Sequence, residues 1–136
     1  LPIGKGERLA DGEDVAVLAL GPVANRALEA AERLRKETGK SPAVFNVRFL
    51  KPFDQEILKE AAGYRCILTL EDGAIKGGLF SEVSEYVAST GARIPVIGVG
   101  IPDRFITQAP VGRQREQCGL TTEIIYSKIV SLIKNN

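Results

Sequence analysis

The chain has 136 residues, 44% apolar and 26% charged, a balance that suits a soluble globular domain large enough to bury a proper core. Its 18 basic and 17 acidic residues nearly cancel, so no charge excess draws it toward nucleic acid or a membrane surface. No apolar run approaches the roughly 18 residues of a membrane span, and the N-terminus lacks the basic-then-apolar layout of a signal peptide.

In chain order, Glu7–Ala10 reads as a short strand that turns at Asp11-Gly12 into Asp14–Leu20. Val15, Val17, Leu18 and Leu20 there suit a strand buried on both faces. Gly21-Pro22 opens a helix with Val23, Ala27, Ala30, Ala31 and Leu34 at helical spacing, stopped by Gly39. Ala43–Phe49 is the next strand, broken by Pro52. Asp54 then caps a short helix that turns Ile57, Leu58, Ala61 and Ala62 inward. Arg65–Leu70 is a third buried strand and leads into a loop carrying Gly73, Gly77 and Gly78. The helix after it places Leu79, Val83, Tyr86 and Val87 on one stripe.

Pro95–Ile101 is the last strand, and Pro102 stops it because proline has no ladder donor. Arg113–Cys118 reads as a helical turn or two ended by Gly119. A final helix starts near Thr121 or Thr122, buries Ile125, Ile129, Leu132 and Ile133, and frays from Lys134. Strands alternating with helices imply a mainly parallel sheet covered on both faces. The expected fold is therefore α/β, a three-layer α/β/α domain whose mixed, mainly parallel sheet has about five strands. The tight Asp11-Gly12 connection lets the first short strand run antiparallel to its sequence neighbour. With no Met anywhere and the opening Leu1-Pro2-Ile3-Gly4-Lys5-Gly6, residues 1–136 read as a single domain cut from a longer chain.

The chemistry on offer is narrow. Histidine is absent, which removes the commonest general base and metal ligand, and with it any Ser–His or Cys–His pair. Cys66 and Cys118 read as reduced structural residues and point to the cytoplasm. Glu71-Asp72 closes a strand, where two carboxylates could hold a cation, although a solvated or capping role outweighs that. Gly21-Pro22 and Gly77-Gly78 precede helix starts, whose free N–H groups favour anions. Neither matches a phosphate-binding loop or a dinucleotide fingerprint, so freedom in φ and close packing explain them better.

In Arg48-Phe49-Leu50-Lys51-Pro52-Phe53-Asp54, Pro52 fixes a turn, Asp54 caps and Phe53 seals the loop on the core. Arg48 and Lys51 could instead meet a partner's carboxylate or phosphate, but a structural turn is favoured. Beyond the last strand stand an acid, a base and an aromatic: Asp103, Arg104 and Phe105. Open α/β sheets hold ligands or partners at such strand ends.

Ile101-Pro102-Asp103-Arg104-Phe105, then Cys118-Gly119-Leu120, closely resemble the C-terminal, transketolase-type domain of the 1-deoxy-D-xylulose-5-phosphate synthase family. Arg48–Asp54 and Glu71–Ser81 extend the likeness over almost the whole chain. The Lys51-Pro52-x-Asp54 turn and the Gly77-Gly78 helix start recur across the transketolase C-terminal superfamily, including the beta subunits of oxo-acid dehydrogenases. The Ile-Pro-Asp-Arg-Phe segment is narrower and decides between them. Phe80 stands where the family has Gly, Ala109 and Pro110 replace a common Gly, and Thr121 stands where Asp is usual.

The resemblance implies a five-stranded mixed sheet with one antiparallel edge strand. It also implies a parent enzyme that joins pyruvate to glyceraldehyde 3-phosphate with loss of carbon dioxide, using thiamine diphosphate and Mg2+. The product feeds isoprenoid, thiamine and pyridoxal phosphate synthesis. The family holds its cofactor with a Gly-Asp-Gly motif and a downstream Asn. Here Glu71-Asp72-Gly73 lacks the first Gly, and no Asn follows until Asn135. On this resemblance the domain carries no catalytic, cofactor-binding or metal-binding residue. It packs on the N-terminal and central domains of a cytoplasmic homodimer, with Asp103, Arg104 and Phe105 as domain or dimer contacts and no nucleic acid or membrane partner. Two rivals are a stand-alone anion- or nucleotide-binding module using Gly21, Gly77, Gly78 and Arg104, and the C-terminal domain of an oxo-acid dehydrogenase beta subunit.

Overall fold

The computed structural model describes residues 6–47, 54–71, 78–99 and 121–134. At its centre lies β2 (Val15–Leu20), buried at every position. Side chains alternate across a strand, so Val15, Val17 and Ala19 face one helical layer while Ala16, Leu18 and Leu20 face the other. The first layer is α1 (Val23–Thr38) with α4 (Thr122–Lys134); the second is α2 (Gln55–Ala61) with α3 (Gly78–Thr90). Beside β2 run β3 (Ala43–Asn46) and β4 (Cys66–Glu71), both parallel to it, with Val17 opposite Val44 on one side and Leu68 on the other. β5 (Val96–Val99) continues the parallel set beside β4, and β1 (Glu7–Ala10) is antiparallel beside β3. The five-stranded order is β1-β3-β2-β4-β5, the mixed three-layer sheet expected from the alternating pattern.

Local chemistry explains the helices. α1 buries Val23, Ala24, Ala27, Ala30, Ala31 and Leu34, and its four alanines let the backbone lie close to the sheet. Gly39 ends it in the left-handed region at φ 81°, its N–H donating to the Arg35 carbonyl. α2 buries Ile57, Leu58 and Ala61, with Ala62 half-buried as its C-terminal cap. α3 buries Leu79, Val83 and Val87, with Tyr86 half-buried at the margin. On α4, Ile125 and Ile129 are fully buried and Leu132 and Ile133 half-buried; their packing carries the helix through Lys134, one residue into the expected fraying end. Cys66 is buried at the start of β4, and burial pushes its thiol pKa up. Among the described residues no helix is long and apolar enough to cross a membrane.

One expectation changes in detail. β1 does run opposite to β2, but it hydrogen-bonds to β3, two places away in sequence. Both sides of β2 are already occupied by parallel partners, so the Asp11–Asp14 connection cannot close a hairpin and crosses the start of β3 instead. There Glu13 N–H donates to the Ser41 carbonyl at 3.0 Å, and a Cβ on Gly12 would lie 2.1 Å from the Pro42 carbonyl carbon. Only glycine permits that crossing.

Candidate functional site

Because β2, β3, β4 and β5 are parallel, their carboxyl ends share one edge of the sheet, the place where open α/β folds lodge ligands. At the end of β2, Gly21 has φ 94° and its carbonyl accepts from Ala24 N–H at 3.1 Å. Pro22 caps α1 without a side-chain bond. This is turn chemistry, and it accounts for the Gly21-Pro22 pair.

Glu71, the last residue of β4, is 4% exposed. Its Oε1 accepts from Leu79 N–H and its Oε2 from Phe80 N–H, each at 3.3 Å. The first N–H groups of a helix lack intrahelical partners and sit at the positive end of the dipole, so a carboxylate is stabilised there. Glu71 thus fills from within the position an external anion would take at the start of α3. Gly78 is the first residue of that helix. One residue further on, Phe80 rests on β5: a Cβ built on Gly98 would lie 2.6 Å from Phe80 Cδ1. The ring uses the space that a side chain at position 98 would occupy. This pairing accommodates a Phe where the resemblance expects Gly.

Asp54 is 6% exposed and uses both oxygens. Oδ1 accepts from Glu56 N–H at 3.0 Å and Ile57 N–H at 3.4 Å, capping α2. Oδ2 accepts from Gly6 N–H at 2.9 Å, a link across 48 residues that no local pattern announces. Nearby, the Arg8 guanidinium pairs with Glu60 on α2, bonds Asp11 at 2.8 Å and lies 5.5 Å over the Phe45 ring.

A polar seam joins α1 to α4. Arg33 bonds Glu123 at 2.5 Å, lies 3.6 Å from Glu37 and stacks 4.0 Å from the Tyr126 ring centre. The Tyr126 hydroxyl donates to Glu37, a bond that raises the phenol pKa. Alternating charges on a helix give no sign of their partner, so the sequence reading missed this seam. Between β5 and α4 runs a shallow groove lined by Val99, Glu123, Ile124, Ser127, Lys128 and Ser131, with Ile124 exposed.

The described residues do not fit a magnesium–diphosphate group. Both Glu71 oxygens face helix N–H donors, and among the described residues no three His, Cys, Asp or Glu side chains gather to hold a metal. Nor does any buried side-chain nitrogen or oxygen there lack a partner. Asp103, Arg104, Phe105, Lys51, Pro52 and Gly77 lie outside the described residues, as do Asp72 and Cys118.

A sequence profile of the transketolase C-terminal domain matches residues 4–125. The chain is similar to the 1-deoxy-D-xylulose-5-phosphate synthase of Bacteroides thetaiotaomicron, 39% identical over 131 residues that cover 96% of this chain and 20% of that protein. With the enzyme of the same name from Bacteroides fragilis it shares 42% identity over 130 residues, 95% of this chain and 20% of that one. Among solved structures it is similar to a split gene transketolase in an inactive β4 tetramer, with TM-score 0.81 and 34% identity over 98% of this chain and 44% of that chain. The chain spans about a fifth of the length of the curated relatives it matches.

Proposed function

The chain belongs to the transketolase C-terminal domain family, and from that premise we propose that it is the C-terminal domain of a 1-deoxy-D-xylulose-5-phosphate synthase. One observation carries the reading: the match to enzymes of that name runs over 95% or more of this chain at about 40% identity. The narrow Ile101-Pro102-Asp103-Arg104-Phe105 segment supports it against the beta subunit of an oxo-acid dehydrogenase. The whole enzyme joins pyruvate to glyceraldehyde 3-phosphate and releases carbon dioxide, in the cytoplasm, as a homodimer. Thiamine diphosphate with Mg2+ supplies the carbanion chemistry when bound, and the earlier domains hold it.

The role proposed for residues 1–136 is structural. This single domain packs on the N-terminal and central domains and strengthens the dimer, with Asp103, Arg104 and Phe105 as contact residues. The disposition of polar groups supports a non-catalytic role, because the two buried carboxylates among the described residues, Asp54 before α2 and Glu71 at the end of β4, serve helix N–H groups. The test is release of carbon dioxide from carboxyl-labelled pyruvate by the full-length enzyme, with and without glyceraldehyde 3-phosphate. Release stimulated by the aldose supports the reading, and no release overturns it. Arg104→Ala in that enzyme is expected to lower dimer affinity or stability while leaving kcat nearly unchanged. A large fall in kcat with the dimer intact would instead place Arg104 in the chemistry.

A further inference from the structure

We propose that α2 is a clamp that fixes the junction between this domain and the polypeptide preceding it, with Asp54 as its positioning residue. The helix is only seven residues long, yet an acid at each end holds the segment that enters β1. At the N-terminal end, Asp54 Oδ2 accepts from Gly6 N–H at 2.9 Å. In the last turn, the Glu60 carboxylate pairs with the Arg8 guanidinium. Between these two points, Arg8 also lies over the Phe45 ring, so its guanidinium is held from the sheet side as well.

Steric fit makes the same point independently. A Cβ on Gly6 would lie 2.5 Å from the Asn46 carbonyl oxygen and 2.5 Å from Ile57 Cδ1. The entering chain is therefore pressed onto the end of β3 and the first turn of α2, close enough that only glycine fits. The division of labour within one carboxylate is what separates clamp from cap. Oδ1 serves α2 itself, while Oδ2 reaches the entering chain at Gly6 N–H. Asp54 is 6% exposed, so water competes poorly for that second oxygen. Such a joint would set where the rest of the enzyme stands relative to this domain.

The inference rests on the reading that a longer enzyme precedes this domain, and its test is separable from that reading. Asp54→Asn keeps an oxygen for Glu56 N–H and Ile57 N–H but turns an NH2 group toward Gly6 N–H, leaving the cap and breaking the clamp. Gly6→Ala breaks it by collision from the other side. Trypsin cutting after Lys5 and after Arg8, in the native full-length enzyme, reports opening of the junction. Cutting after Arg33 on α1 and Lys128 on α4 reports opening of the domain body.

In both variants, cleavage after Lys5 and Arg8 is expected to rise about tenfold while cleavage after Arg33 and Lys128 stays as in wild type. A rise below threefold overturns the clamp, and so does an equal rise at all four bonds. A wild-type measurement guards against variants that misfold: hydrogen exchange resolved at Gly6 N–H should be at least tenfold slower than in unstructured chain. Exchange at the unstructured rate overturns the proposal. Failure of wild-type enzyme to release carbon dioxide from pyruvate would refute the functional reading and leave the cleavage result standing.

Discussion

The contact between Phe80 and Gly98 permits a prediction whose size follows from the geometry. Phe80 is 38% exposed, so about three-fifths of a side chain that buries about 200 Å² when fully enclosed is covered, an upper bound of about 3 kcal/mol at 25 cal/mol per Å². Phe80→Ala keeps the Cβ and should cost about 2 kcal/mol. Gly98→Ala forces a choice, because its new Cβ would sit 2.6 Å from Phe80 Cδ1 and 3.0 Å from Cγ. Either the ring stays and the site is overpacked, at about 1–3 kcal/mol, or it swings into solvent and forfeits about the 2 kcal/mol that Phe80→Ala loses. A strand alanine recovers about 0.5 kcal/mol over glycine, leaving a net cost of about 1–2 kcal/mol.

In the Phe80→Ala background the ring is gone and the nearest remaining Phe80 atom, Cβ at 3.3 Å, yields to a small shift. Gly98→Ala should then be close to neutral. Urea unfolding of wild type, both single variants and the double variant gives the coupling directly, with an expected value of about 1–2 kcal/mol. Equal costs of Gly98→Ala in the two backgrounds, within about 0.5 kcal/mol, would refute the argument that Phe80 occupies the space over β5.

Glu71→Gln leaves one of the two α3 N–H donors facing an NH2 group and should lower stability by about 1–2 kcal/mol in the same urea assay; no loss would mean that those N–H groups find another acceptor. The α1–α4 seam carries a pH signature. The folded-state pKa of Tyr126 is raised by its bond to Glu37, so the fold favours the neutral phenol. That contribution is complete below the unfolded value near 10 and is lost as pH rises through the folded value. Wild type should therefore lose more stability than Tyr126→Phe as pH rises above about 10, by thermal melts, and parallel curves would contradict the seam.

The parts of the fold that were legible in the sequence are those whose signal lies within a few residues. β2 and β4 are continuous apolar runs because both faces are covered, and α1 shows its buried face every three or four residues. The Asp54 cap spans three residues, and Gly39 stops α1 by a conformation glycine alone adopts readily. What stayed hidden needs a partner distant in the chain. Gly6 meets Asp54 across 48 residues, and Arg33 meets Glu123 across 90. Phe80 meets Gly98 across a whole helix and strand, so the departure at position 80 looked unexplained until β5 lay beneath it. The neighbour of β1 was hidden for another reason: Asp11-Gly12 describes a tight turn but carries no information on which strands have already claimed the sides of β2. At the candidate site, Glu71 plays the capping role suggested for the Glu71-Asp72 pair, whereas the internal occupant of the α3 start could be identified only once β4 and α3 were placed together.

The central claim is that this domain completes a thiamine-diphosphate enzyme without holding its cofactor. Calorimetric titration of thiamine diphosphate with Mg2+ into the 136-residue chain and into the full-length enzyme tests it most directly. The account predicts saturable binding to the full-length enzyme and no heat of binding to the chain alone. Saturable binding of the cofactor to the 136-residue chain would contradict it.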